Sequence, residues 1–378
     1  MAVVVFWPNF HKCQRRSALN TIHHTLYTYT PNTTNAAYLR PMRRTLPTVE
    51  QFVQGIRSGD RVLLGQAITL VESTRPEHSA LAQQVIARLP ASQAGQQQSL
   101  RIGITGAPGV GKSTLIEALG LYLTEQGKKV AVLAIDPSSA ISKGSILGDK
   151  TRMERLSTDE RAFIRPSPSG DSLGGVARKT RETILLVEAA GYDTVLIETV
   201  GVGQSEIAVH SMTDLFLLLL LPGAGDELQG IKRGIVEMAD LLAVNKADGD
   251  RLKLANQARA HYLNATHLLP PRPSGWSPQV LACSAEQGSG IAELWAAIQA
   301  FQTHVTANGF LEQNRQEQAR YWLKESLESG LKDLFYQHPA IREKYVALEK
   351  QVLEGRVSPF AAAREILEIF TSVVGHSS

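Results

Sequence analysis

The chain is 378 residues long and 43% hydrophobic, enough for a substantial core in one large domain or two ordinary ones. Its 39 Lys+Arg against 36 Asp+Glu leave a net charge of +3, which is too balanced to argue for a nucleic-acid surface. Two cysteines, Cys13 and Cys283, cannot build a disulfide framework, which suits a reducing compartment, so we expect a cytoplasmic protein.

Residues 1–46 stand apart from the rest. The apolar run Ala2–Trp7 is too short for a secretory core and has no basic residues before it. Tyr27 to Ala37 is rich in Thr and Asn. We expect this stretch to be a non-native or poorly ordered extension, with Met42 as a candidate start. Residues 47–95 form a helical N-terminal segment. Thr48-Val-Glu-Gln51 has the form of a capping box, and Leu63, Ala67, Leu70 and Val71 share one helix face. Leu81, Val85 and Leu89 share another, and a Gln-rich linker follows from Ala91 to Ser99.

From 96 to 305 strands alternate with helices, the signature of an α/β fold with a doubly wound, mostly parallel sheet. The predicted strands are Ile102–Thr105, Val130–Ile135, Ala162–Arg165, Thr194–Glu198, Leu215–Leu221, Leu241–Asn245 and Gln279–Cys283. Leu215–Leu221 falls far short of the roughly 20 residues of a spanning helix and reads as a central strand buried on both faces. Residues 306–378 return to helices. Leu323, Leu327, Leu331 and Leu334 share one face, and Ile341, Tyr345, Leu348 and Val352 share another. Ser358-Pro359 has the chemistry of a helix start. These helices either pack on the core or form a dimer arm.

Gly106-Ala-Pro-Gly-Val-Gly-Lys-Ser113 fits G-x-x-x-x-G-K-[ST], the phosphate-binding P-loop. A strand precedes it and a helix beginning near Thr114 follows, the context the motif requires. The segment Gly106, Ala107, Pro108, Gly109, Val110 and Gly111 would curl backbone N–H groups around phosphate oxygens at a helix N-terminus. Lys112 would reach the β- and γ-phosphates, and the Ser113 hydroxyl would ligate Mg²⁺.

Asn245-Lys-Ala-Asp248 follows an apolar strand. Asp248 there can accept two hydrogen bonds from guanine, a donor pair that adenine lacks. Asn245 and Lys246 would brace the loop and cover the base. The backbone of Ser284, Ala285 and Glu286, after the last strand, is positioned to meet the guanine oxygen. Cys283 reads as a small buried residue rather than a reactive thiol. Asp136 ends the second strand, where a metal-binding or water-positioning acid belongs. Asp149 follows a glycine-bounded loop suited to switching. Glu198 ends another strand and could hold a metal-bound water, and the Gly201 N–H after it could sense the γ-phosphate. Each acid could instead cap a helix or a loop. His23-His24 with Cys13 has no metal-ligand spacing.

Several strings together resemble the MeaB/ArgK/MMAA family of P-loop GTPases. They are Asp136-Pro-Ser-Ser139, Gly144-Ser-Ile-Leu-Gly-Asp-Lys-Thr-Arg-Met153, Leu173-Gly-Gly175, Glu198-Thr-Val-Gly-Val-Gly-Gln-Ser-Glu206 and Asn245-Lys-Ala-Asp-Gly-Asp250. The resemblance runs from about Thr48 into the C-terminal helices. It implies GTP and GDP binding with Mg²⁺, and a chaperone role for adenosylcobalamin-dependent acyl-CoA mutases, above all methylmalonyl-CoA mutase. Such a chaperone gates cofactor loading and protects or reactivates the mutase. The resemblance further implies a homodimer with the C-terminal helices in its arm. Asp136, Asp149 and Glu198 would surround the metal and the attacking water. The segment Gly223 to Lys232 would relay nucleotide state, with Gln229 and Lys232 as contacts. Lys143 stands where the family pattern leads us to expect glycine. Two other readings fit a P-loop: a GTPase metallochaperone delivering nickel or zinc, and a small-molecule kinase.

Overall fold

The computed structural model describes residues 46–89, 98–135, 153–166, 173–199, 205–223 and 233–375. Seven strands form one sheet: β1 Leu100–Gly106, β2 Val130–Ile135, β3 Ala162–Arg165, β4 Thr194–Thr199, β5 Leu215–Leu220, β6 Leu241–Val244 and β7 Gln279–Ala282. Their order is β3-β2-β4-β1-β5-β6-β7, and every neighbouring pair is parallel. All seven predicted strands are present, with ends shifted by no more than two residues. Parallel neighbours require crossovers, and the intervening helices supply them.

The strand composition follows from burial on both faces. Along β5 the side chains alternate, as strand geometry demands. Phe216, Leu218 and Leu220 join one core layer with Phe52, Ile56, Leu64 and Ile68 of the N-terminal helices Val49–Arg57 and Arg61–Glu72. Leu215, Leu217 and Leu219 join the opposite layer with Leu115 and Leu119 of the helix Lys112–Glu125 and Leu294 and Ile298 of the helix Ile291–Ala307. Each fully buried side chain of this size contributes about 1.5–3 kcal/mol, so a strand apolar on both faces calls for a helical layer on each side.

The predicted capping box at Thr48 forms. The Gln51 N–H donates to Thr48 Oγ1 at 3.3 Å, and the Thr48 N–H donates to Gln51 Oε1 at 2.8 Å. At the other end of the chain the helix Phe310–Gln337 runs for 28 residues. Its first half is anchored to the sheet. Arg315 forms a two-pronged ion pair with Asp214, at 2.9 and 2.7 Å. The Gln318 amide donates to Thr213 O and the Trp322 indole donates to Ser211 O. The second half presents Leu323, Leu327, Leu331 and Leu334 outward, 59–68% exposed. The helices Pro339–Leu353 and Pro359–Gly375 close a small core of their own around Ile341, Leu348, Ala362 and Ile366. No helix among the described residues is long and apolar enough to cross a membrane.

Candidate functional site

The motifs converge at the carboxyl edge of the sheet, where open α/β sheets bind their ligands. The P-loop leaves β1, Glu198 is the penultimate residue of the neighbouring β4, Asn245 follows β6, and Cys283 to Ala285 follow β7. Ile104 of β1 is paired in register with Glu198, which sets that carboxylate beside the P-loop.

The loop geometry explains its glycines at two positions. At Gly106 the φ of 150° and a would-be Cβ 2.6 Å from Leu219 O exclude any side chain. At Gly111 φ is 96°, and a Cβ would lie 2.6 Å from Asn245 Nδ2. Gly111 immediately precedes the helix Lys112–Glu125, whose first N–H groups lack intrahelical partners. The Lys112 ammonium donates to Gly106 O at 2.9 Å and Ala107 O at 3.3 Å. Burial pulls it below the usual lysine range, against the opposing charges of Glu198 and Glu206. The Ser113 hydroxyl donates to Glu198 Oε1 at 3.2 Å. Thr114 and Pro108 are exposed at the loop rim.

The loops after β6 and β7 form a linked network. The Asn245 amide donates to Val110 O at 2.9 Å, and its Oδ1 accepts the Ala285 N–H at 3.0 Å. One buried side chain thus ties the P-loop to the loop after β7. Lys246 is the one non-glycine residue with positive φ among the described residues, at 59°, and its ammonium donates to Gly109 O at 2.8 Å. Such backbone outliers concentrate at functional sites. The Ser284 hydroxyl donates to Asp248 Oδ2 at 2.6 Å, and Arg251 pairs with Oδ1. The Ser284 hydroxyl bond and then the Arg251 guanidinium hold the Asp248 carboxyl below its ordinary range. Cys283 is buried, and burial pushes its thiol up to about 12, in keeping with an inert packing residue. Glu286 is exposed beside this loop.

The fold brings together Gly106 to Ser113, Glu198, Asn245, Lys246, Asp248, Ser284 and Ala285. Asp136, Asp149, Gly201, Gln229 and Lys232 lie outside the described residues. The sequence reading assigned no role to Glu206, a buried acid whose charge acts on Lys112, or to Arg251. Arg251 carried a faint signal, a cation three residues past an acid in a turn, and Glu206 carried one only as the last residue of the string Glu198 to Glu206.

The profile of the family described as methylmalonyl Co-A mutase-associated GTPase MeaB matches residues 64–340. The chain belongs to this family. It is 49% identical over 322 residues to a probable GTPase of Mycobacterium tuberculosis, covering 85% of this chain and 95% of that protein. It is 48% identical over 331 residues to the mitochondrial methylmalonic aciduria type A homolog of Mus musculus, covering 86% and 80%. GTPase ArgK of Escherichia coli is 46% identical over 321 residues, covering 85% and 96%. A crystal structure described as a LAO/AO transport system kinase superposes with a TM-score of 0.66 at 39% identity, covering 86% of this chain and all of that one. This MeaB-family chain is a P-loop GTPase that binds GTP and GDP.

Proposed function

We propose that this GTPase is a chaperone of an adenosylcobalamin-dependent acyl-CoA mutase, methylmalonyl-CoA mutase foremost, gating cofactor loading and protecting or reactivating the partner. The observation that carries the reading is the family match over residues 64–340, in a family named for its association with that mutase. The mouse relative's name points to the same metabolism.

At the base end, Asp248 receives the guanine N–H groups, braced by Asn245, Lys246, Ser284 and Ala285. At the phosphate end, Lys112 leaves the carbonyls of Gly106 and Ala107 for the β- and γ-phosphate oxygens, and the P-loop amides share the charge. Water attacks the γ-phosphorus, the bond to the β,γ-bridging oxygen breaks, and GDP and phosphate leave. The Ser113 hydroxyl and the Glu198 carboxylate, 3.2 Å apart, form a hard oxygen pair that fits Mg²⁺. When bound, Mg²⁺ supplies positive charge against the triphosphate. We assign Asp136 and Asp149 to the same metal and water cluster, with Gly201 as the γ-phosphate sensor.

The outward row Leu323, Leu327, Leu331 and Leu334 supports a homodimer built on the long C-terminal helix. We place the protein in the cytoplasm, in keeping with Cys283 as a buried free thiol.

The test is GTP turnover by the purified protein, alone and with methylmalonyl-CoA mutase, with ATP as control. Mutase-stimulated, GTP-specific hydrolysis is expected. GTP hydrolysis indifferent to the mutase would remove the chaperone role and keep the GTPase.

A further inference from the structure

We propose that Arg251 is a positioning residue for guanine recognition. Together with Ser284 it fixes the Asp248 carboxylate so that one acceptor site on each oxygen remains for the base. The inference rests on the reading of Asp248 as the guanine acceptor given above.

An ionised carboxylate offers about four acceptor sites, two on each oxygen. Here the Ser284 hydroxyl takes one site on Oδ2, and the Arg251 guanidinium takes one on Oδ1. One site is left on each oxygen. Guanine presents two donors side by side, the ring N–H and the exocyclic amine, which matches that remainder. The two protein donors come from different elements: Ser284 from the loop after β7, and Arg251 from the turn Gly249–Arg251 after β6. A carboxylate held from both ends cannot rotate about its own axis without breaking one of the bonds. The base therefore meets an oriented acceptor pair and pays less ordering entropy on binding.

The exposures sharpen the role. The Asp248 side chain is 9% exposed, whereas Arg251 is 48% exposed. The acid sits inside the site while its cationic partner lies at the solvent edge, so salt screens the pair. Arginine suits the position because its planar fork has a fixed direction, which the point charge of lysine lacks.

The experiment is nucleotide affinity for Arg251→Gln, Arg251→Lys and Asp248→Asn, and for the Asp248→Asn/Arg251→Gln double variant, measured with GTP and ATP at low and high salt. Arg251→Gln is expected to weaken GTP binding by about two- to fivefold at low salt, leaving ATP binding unchanged because adenine makes no bond to Asp248. The difference should shrink at high salt, and Arg251→Lys should restore only part of it. On the Asp248→Asn background, Arg251→Gln should have no further effect. GTP binding that is unchanged or tighter in Arg251→Gln overturns the inference, since tighter binding would mean that Arg251 competes with the base. Equal weakening of GTP and ATP also overturns it and marks a merely structural residue. If instead Asp248→Asn keeps the full preference for GTP, the reading of Asp248 itself fails and takes this inference with it.

Discussion

The two ends of the candidate nucleotide site differ in what their side chains hold. At the base end the side chains already hold one another: Asn245 bridges Val110 and Ala285, and Ser284 and Arg251 hold Asp248. At the phosphate end the donors are occupied by the protein itself. Lys112 rests on the carbonyls of Gly106 and Ala107, and Ser113 rests on Glu198. At the Asn245–Asp248 end the bonds run between side chains of neighbouring loops, whereas at the P-loop end Lys112 bonds the backbone of its own loop and Ser113 bonds the acid of the adjoining strand.

The largest expected effect breaks the phosphate end alone. Lys112→Ala should abolish measurable GTP hydrolysis in a phosphate-release assay while the fold survives by circular dichroism. Near-normal turnover would remove Lys112 from its role. Next comes the base end alone. Asp248→Asn should cost most of the GTP-over-ATP preference, on the order of tenfold or more, since hydrogen bonds to a charged group contribute about 1.5–3 kcal/mol each. Competition binding with both nucleotides measures it, and unchanged selectivity would sink the assignment.

Asn245→Ala tests whether the two ends are joined. It strips partners from the Val110 carbonyl and the Ala285 N–H, and each buried unsatisfied group costs about 1–3 kcal/mol. Thermal stability and GTP affinity should fall together. A loss of affinity with unchanged stability would show that the bridge carries no structural load. The smallest effect concerns Cys283. With its thiol pushed up to about 12, it should resist alkylation in the native protein at mildly alkaline pH and react after denaturation. Peptide mass spectrometry reads this directly, and native labelling of Cys283 would contradict its burial.

Much of the architecture was legible in the amino-acid order because it depends on local periodicity. Apolar runs bounded by turn residues located all seven strands, and Thr48 with Gln51 announced a capping box that forms. The P-loop and Asn245-Lys-Ala-Asp248 were legible because each packs its chemistry into one contiguous turn. The leucine row of the long helix was legible as a face, but its exposure was not. Which face of a helix is covered depends on what docks on the other side. Here Arg315, Gln318 and Trp322, polar or amphipathic residues with no apolar stripe, make the docking face.

Amino-acid order alone specifies the elements, the glycines at Gly106 and Gly111, and the residue types of the P-loop and of Asn245–Asp248. These follow from backbone sterics and side-chain chemistry within a few residues. Tertiary packing sets β4 between β2 and β1, bringing Glu198 beside Ser113. It alone decided that Asn245 reaches Val110 across 135 residues of chain, and that Ser284 meets Asp248 across 36. Strand order is fixed by the burial of two helical layers at once, a global optimum that no local window of sequence contains.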